Sequence, residues 1–422
     1  MIKGTFYIKT FGCKVNQYES QMIRENFLKA NVREAACINK ADICVVNTCT
    51  VTSISDAKSL RAIRNAIKKN NCVIATGCMI EDKNLDLLEL KDVDFIIRNK
   101  DKYKIPEIIL HSAKRKVHSK CISGLEGHTR VFVKVQDGCD NICSYCKVRI
   151  VRGRSRSRPL KEIIDECAAL VRNGSKEIVF TGICLGAYGR DIPRYLSLSS
   201  LIEEVCKIDG HWRLRLSSIE PKDIDKDLIC QIQKQERLCK HIHMPFQSGD
   251  DYILKRMDRP YRRRDYLEIV DRIKDVVPDI AISTDIMVGF PGETEERFKN
   301  TVKFIEEVRP MRMHIFPFSK RKDTRAYSYK SHIIRHIKKE RESTLLRLGK
   351  GLAAEFVNKF LDREVEVLIE SRRSKEGYLQ GYTDRYIKVF IDGPDILKGQ
   401  LVNCRPTLTN HKVHGILIPS CI

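Results

Sequence analysis

Apolar strand-like runs and amphipathic helical stretches alternate through the first 318 residues, and that alternation restricts the chain to parallel α/β architectures. Four runs, TFYIKT (5–10), ICVVN (43–47), CVIAT (72–76) and VDFII (93–97), with helical stretches at 17–30 and 56–70, predict an N-terminal parallel α/β unit. A second series follows at 131–136, 177–181, 213–217, 241–245, 281–287 and 312–318. Helical stretches at 160–172, 199–207, 262–275 and 295–308 separate these runs. Six β/α units of this kind fit a partial or complete β/α barrel. Residues 101–128 read as a connector and 331–358 as one long basic helix. From about 362 the runs EVEVLIE, GYLQGY, YIKVFID and GQLVNC predict a small antiparallel barrel. A chain of 422 residues is long enough for two or three such bodies.

Seventeen cysteines are many for a chain with no secretory pattern at its start. No run of 18 apolar residues predicts a membrane span, and the expected location is the cytoplasm. In a reducing compartment the question is which thiols are ligands and which are small buried hydrophobes. Cys139, Cys143 and Cys146, in GCDNICSYC, follow the first run of the second series. Three thiolates suit a four-iron cluster with one iron left open. Zinc is the competing reading, but a zinc site takes a fourth ligand and none follows closely. In the first series Cys13, Cys49 and Cys78 each come directly after a strand-like run. Strand carboxyl ends form the binding edge of an open α/β sheet, so these three thiols can converge. Cys44 and Cys72 fall within runs and read as core.

The formal charge is +22, from 77 basic and 55 acidic side chains, which favours a polyanion partner, with nucleic acid first. The excess is concentrated. Residues 301–350 carry 14 basic and 5 acidic side chains, and 149–158 carry Arg149, Arg152, Arg154, Arg156 and Arg158 with no acid. Both stretches are expected to hold an RNA backbone.

The Cys139–Cys146 loop resembles the cluster loop of radical S-adenosylmethionine (SAM) enzymes, and the whole chain resembles the methylthiotransferase family. The resemblance implies an N-terminal methylthiotransferase domain (1–115), a TIM-like radical SAM core (125–358) and a C-terminal TRAM domain (359–422). It implies two [4Fe-4S] clusters, one auxiliary on Cys13, Cys49 and Cys78, the other on Cys139, Cys143 and Cys146. TGICLGAYG (181–189), HMPFQSG (243–249) and DIMVGFPGETEE (285–296) match barrel segments that meet SAM. Arg154, Ser217, Glu220, Gln247, Ser248 and Gly289 are the cofactor neighbours it implies. FGCKVNQYES (11–20), VVNTCTVT (45–52) and RGRSRSR (152–158) resemble the branch acting on threonylcarbamoyladenosine in tRNA. That branch implies that one SAM methylates sulfur at the auxiliary cluster while a second yields a radical. The radical removes hydrogen from carbon 2 of an adenine in the anticodon loop. An electron donor such as flavodoxin or ferredoxin is implied as well.

Two departures from the family pattern lie near the expected substrate mouth. Arg149 stands where proline is common, and Asp323-Thr324-Arg325 replaces Gly-Thr-Pro. The competing functions are methylthiolation of isopentenyladenosine or of a ribosomal protein, and a non-enzymatic iron–sulfur RNA-binding protein. The other cysteines (37, 44, 72, 121, 167, 184, 206, 230, 239, 404 and 421) read as structural, with Cys184 in a loop near the cofactor.

Overall fold

The structure is a computed structural model that describes residues 4–70, 72–110, 119–192 and 196–418. Cys421 and the expected boundary near residue 115 lie outside the described residues.

The first series folds as predicted. Strands β1 (Thr5–Thr10), β2 (Arg33–Glu34), β3 (Ile43–Thr48), β4 (Cys72–Gly77) and β5 (Phe95–Ile97) form one parallel sheet in the order β2-β1-β3-β4-β5. The central strand β3 is buried along its whole length, which its β-branched run suits. Helices α1 (Lys14–Lys29) and α2 (Ser53–Ile67) connect the strands. Thr52 caps α2 by accepting from the Ser55 N–H. The expected connector is in part helical: Ile105–Leu110 forms α3, which packs on α1. Ile105, Pro106 and Ile109 supply its buried face, a spacing too short to read as periodic.

The second series builds a partial barrel. β6 (Val131–Lys134) leads into a short antiparallel pair, β7 (Gln136–Asp137) and β8 (Arg156–Ser157), which flanks helix α4 (Val148–Arg152). Helix α5 (Leu160–Arg172), β9 (Glu177–Thr181), α6 (Leu198–Cys206), β10 (Arg213–Leu216), α7 (Lys226–Lys234) and β11 (His241–His243) continue the alternation. Next come α8 (Asp251–Arg256), α9 (Arg263–Val276), β12 (Ala281–Val288), α10 (Glu295–Val308) and β13 (Arg312–Pro317). Two three-stranded parallel sheets, β10-β9-β6 and β11-β12-β13, join through the bridges Leu214–Leu238 and Ser218–His243. β6 and β13 remain unpaired edges, and α1 packs against β6 beside that gap.

The long basic helix is α11 (Arg335–Asn358), which packs on β13. Strands β14 (Val365–Ile369), β15 (Leu379–Thr383), β16 (Lys388–Ile391), β17 (Leu401–Thr409) and β18 (Lys412–Leu417) close the small barrel. Its β16–β18 pairing is parallel, so the barrel is not purely antiparallel as expected. Arg213 donates to the Tyr382 carbonyl at 2.8 Å, and Arg215 to the carbonyls of Thr383 and Asp384 at 3.1 and 2.5 Å. Glu177 holds both guanidiniums, at 2.7 Å each.

Candidate active site

The carboxyl ends of the neighbouring strands β1, β3 and β4 bring Cys13, Cys49 and Cys78 together. The approach is close enough that only glycine fits beside it. Gly12 has φ +98°, and a Cβ there would stand 2.9 Å from the Cys49 sulfur. Gly77 has φ +106°, and its Cβ would stand 2.3 Å from the Thr48 carbonyl oxygen. The Asn16 amide donates to the carbonyls of Phe11 and Thr48, at 2.7 and 2.9 Å, and ties two of the strand ends.

The Cys139–Cys146 loop is pinned from three sides. The Cys139 N–H donates to the Gly153 carbonyl and the Ser144 N–H to the Met257 carbonyl, at 3.1 and 3.0 Å. The Ala326 N–H donates to the Ser144 carbonyl at 2.8 Å, and Arg325 to the Ile142 carbonyl at 2.6 Å. Arg325 also pairs with Asp258 at 2.7 Å, so a residue that departs from the family pattern serves as a clamp on this loop. Asp323 has φ +65° and accepts from Asn84, while Arg149 reaches only the Asp140 carbonyl, at 3.5 Å.

The donor sets fit iron–sulfur clusters better than single metal ions. In tetrahedral zinc sites with Zn–S bonds of about 2.3 Å the sulfurs crowd together. Among the described residues neither cysteine trio closes its ligand atoms to within 4.8 Å; the group that does is His243, Asp285 and His314. The sulfurs also receive hydrogen bonds suited to thiolates. Asn141 and Val148 N–H groups donate to Cys139 and Cys146 at 3.4 Å, Arg259 to Cys143 at 3.5 Å, and Arg152 to Cys78 at 3.1 Å. Burial pushes the Cys146 thiol up to about 12 and raises Cys49, Cys78 and Cys143. A hydrogen bond from the Cys184 thiol lowers Cys139. Cys184, first read as structural, therefore touches a ligand position.

Cys78 and Cys146 face one cavity of about 350 Å³, which Thr50, Gln247, Asp285 and Phe316 also line. Gln247 has φ +68°, and its buried Oε1 and the buried Ser217 hydroxyl have no partner among the described residues. Such orphaned acceptors fit a polar cofactor. Glu220 is bound by Arg259. Ser248 is engaged by Thr301 and the Asp250 N–H, at 3.3 and 3.2 Å, and serves the turn into α8. Gly289, with φ +70°, donates its N–H to Glu293 at 2.8 Å. Arg154 is exposed, with no side-chain hydrogen bond among the described residues.

The expectation that all of 149–158 holds RNA is corrected. Arg152 is only 5% exposed and pairs with Glu19 and Asp137, at 3.0 and 2.9 Å. Arg158 pairs with Glu166 at 2.7 Å. These acidic partners, Glu19 and Asp137 for Arg152 and Glu166 for Arg158, lie outside the 149–158 window, so a charge count over that window misses them. In 301–350, Arg321 and Arg341 are likewise buried against Asp56 and Glu293. Lys322, Lys330, Arg335, Lys339 and Arg347 stay exposed without ion pairs among the described residues.

Asp285 accepts from His243 and His314, both at 3.2 Å, and their two positive dipoles outweigh burial to hold its carboxyl below the usual range. Burial, reinforced by Arg215 and Arg130, pulls the Lys14 ammonium down to about 8. Sequence reading named neither Arg259 nor His314; it put Arg152 in an RNA-holding run and His243 and Asp285 in segments expected to meet SAM.

The model of the radical SAM superfamily matches residues 133–305, and that of an uncharacterized protein family, UPF0004, matches 5–98. The threonylcarbamoyladenosine tRNA methylthiotransferase MtaB of Bacillus subtilis is 33% identical over 95% of this chain and 93% of its own length. That of Thermotoga maritima is 38% identical over 91% and 90%. A tRNA-2-methylthio-N(6)-dimethylallyladenosine synthase of Clostridium tetani is 36% identical over 96% and 94%. Among solved structures, the radical SAM methyltransferase TsrM from Kitasatospora setae shares the fold, with a TM-score of 0.58, 12% identity and coverage of 78% and 77%. Related at 33% and 38% identity to methylthiotransferases along nearly its whole length, and matching the radical SAM superfamily over 133–305, the chain belongs to the methylthiotransferase family of radical SAM enzymes.

Proposed function

We propose that the protein installs a methylthio group on carbon 2 of threonylcarbamoyladenosine, beside the anticodon of tRNA. The observation that carries this reading is the cavity of about 350 Å³ with Cys78 on one wall and Cys146 on another. A substrate carbon held there meets both cysteine sets at once. Cys13, Cys49 and Cys78 would hold the auxiliary [4Fe-4S] cluster, and Cys139, Cys143 and Cys146 the one that binds SAM. When bound, these groups supply the transferable sulfur and a hydrogen-abstracting radical.

The chain's own residues do the rest. Arg152 and Arg259 place positive charge against Cys78 and Cys143, which favours thiolate over thiol as ligand. Gln247 and Ser217 offer unpartnered polar atoms for the cofactor's polar groups. Met287, Phe316 and Phe318 line the cavity with apolar surface and exclude water from it. Arg321 bonds Thr50 at 2.7 Å and pairs with Asp56, and so fastens the strap after β13 to the N-terminal sheet over the cavity.

The units 1–115, 125–358 and 359–422 would serve as sulfur-delivering, radical-forming and RNA-holding parts. A flavodoxin or ferredoxin would provide electrons, in the cytoplasm. No described helix is long and apolar enough to cross a membrane.

Nucleoside mass spectrometry of tRNA from cells with and without the gene tests the reading. Loss of 2-methylthio-threonylcarbamoyladenosine, restored by the gene but not by Cys143→Ala, supports it. Loss of the isopentenyl analogue instead moves the substrate to the other tRNA branch, and no change in either rejects tRNA.

A further inference from the structure

The gap between the barrel's edge strands holds two cations that have no ion-pair partner among the described residues. On β13, Arg312 and His314 are two residues apart and therefore share a face. His314 bonds Asp285, which lines the catalytic cavity, so that face looks into the barrel. Arg312 is exposed there and makes no hydrogen bond or ion pair among the described residues.

Lys14 enters the same gap from the first turn of α1. Its Nζ stands 6.0 Å from the Phe132 ring on β6, and Arg215 and Arg312 are among the charges acting on it. It too makes no hydrogen bond or ion pair among the described residues. The acids nearby are already engaged. Glu177 is bound by Arg213 and Arg215, and Asp285 by His243 and His314. His243 is further fixed by Ser283, at 2.8 Å. Lys14 and Arg312 thus lie along one gap whose neighbouring carboxylates, Glu177 and Asp285, are already bound by other groups, and that field favours an entering anion.

We propose that Lys14 and Arg312, with His314 beside them, form a receptor for an oxyanion of the RNA substrate. This rests on the reading of the substrate as a modified adenosine in tRNA. A threonylcarbamoyl substituent ends in a free carboxylate, whereas a dimethylallyl substituent carries no charge. The same pair can also grip a backbone phosphate of the flipped nucleotide. Lys14 directly follows Cys13, so a base with its carbon 2 at the clusters and an anionic arm in the gap spans both features.

Binding of anticodon stem-loop RNA to the reconstituted enzyme tests this. One RNA carries threonylcarbamoyladenosine, and a second carries its methyl ester, which lacks the charge. Lys14→Gln and Arg312→Gln are compared with wild type and with Lys339→Gln on the outer helix α11. Each site variant is expected to weaken binding of the acid RNA about tenfold, the effect of one lost charge-assisted hydrogen bond. If the ester RNA binds both variants as it binds wild type, the carboxylate is the ligand. If both RNAs weaken equally, and by more than with Lys339→Gln, the ligand is a phosphate. If neither site variant exceeds Lys339→Gln on either RNA, the receptor is refuted. Lys14→Gln is checked for iron content because Cys13 adjoins it, and Arg312→Gln is free of that complication. Wild-type enzyme that methylthiolates dimethylallyl RNA but not the threonylcarbamoyl RNA would overturn the substrate reading instead, whatever the variants do.

Discussion

Arg152 donates to the Cys78 sulfur and to the carboxylates of Glu19 and Asp137, and no partner is a near neighbour in sequence. Lys102 and Lys134 also bind Glu19, at 2.6 and 2.9 Å, so one buried carboxylate anchors three cations. Arg152→Gln leaves that network short of a charge at its centre. The expected cost is about 3–5 kcal/mol, as for other broken buried pairs, read by denaturant unfolding. Iron bound by the auxiliary trio should fall as well, while SAM cleavage at the other trio persists. Cys143→Ala should do the reverse: the fold and the auxiliary iron remain, and 5′-deoxyadenosine formation stops. Iron analysis beside product analysis separates the two variants. The position of Cys13, Cys49 and Cys78 directly after strands was legible in the sequence because position after a strand-like run is a local signal. Arg152, Arg259 and Lys14 were not, because their roles arise only when distant segments meet. Arg152 even misled, since its exposed neighbours made it look like part of an RNA-binding run.

Strand ends carry the site, and their glycines set how near the strands come. Gly77→Ala would drive a Cβ into the main chain of Thr48 and force an unfavourable φ on β4. Gly124→Ala, in open space with an ordinary φ, is the matched control. The expected loss for Gly77→Ala is more than ~1 kcal/mol with reduced auxiliary iron, and for Gly124→Ala neither. Calorimetry with iron analysis checks both. Strand and helix periods gave the longer elements of the two α/β bodies to within a few residues. The helices α3, α4, α7 and α8 and the two-residue strands β2, β7 and β8 escaped because so few residues carry too little period to read. The parallel β16–β18 pairing escaped because period two says which face a residue takes, not which strand lies beside it.

Across the whole molecule, Glu177 governs how the C-terminal barrel is joined to the core. Burial alone would raise its carboxyl, but Arg215 and Arg213 bring it from 4.5 to about 2. A carboxylate lowered on folding contributes stability that is complete above its unfolded value and is lost as pH falls through the folded one. The joint should therefore loosen between about pH 4.5 and 2, as hydrogen exchange in the β15–β16 turn would record. Glu177→Gln should show that loosening at neutral pH. RNA affinity should fall linearly with the logarithm of salt, and removing an exposed cation such as Lys330 should reduce the slope by about 0.7–0.9 if it meets a phosphate. The arginines of β10 hold the small barrel through carbonyl oxygens of residues 382–384, groups that every amino acid carries. Side chains on the barrel's inner face add to this: Tyr386 stacks 3.8 Å from Arg215, Glu366 takes His211 at 2.7 Å, Glu370 pairs with Arg130, and Arg385 donates to the Asp279 carbonyl at 2.8 Å, so the fastening engages that inner face and leaves the outer one unused. Evolution is thus free to rewrite the outer face of that barrel for new RNA shapes without renegotiating its attachment.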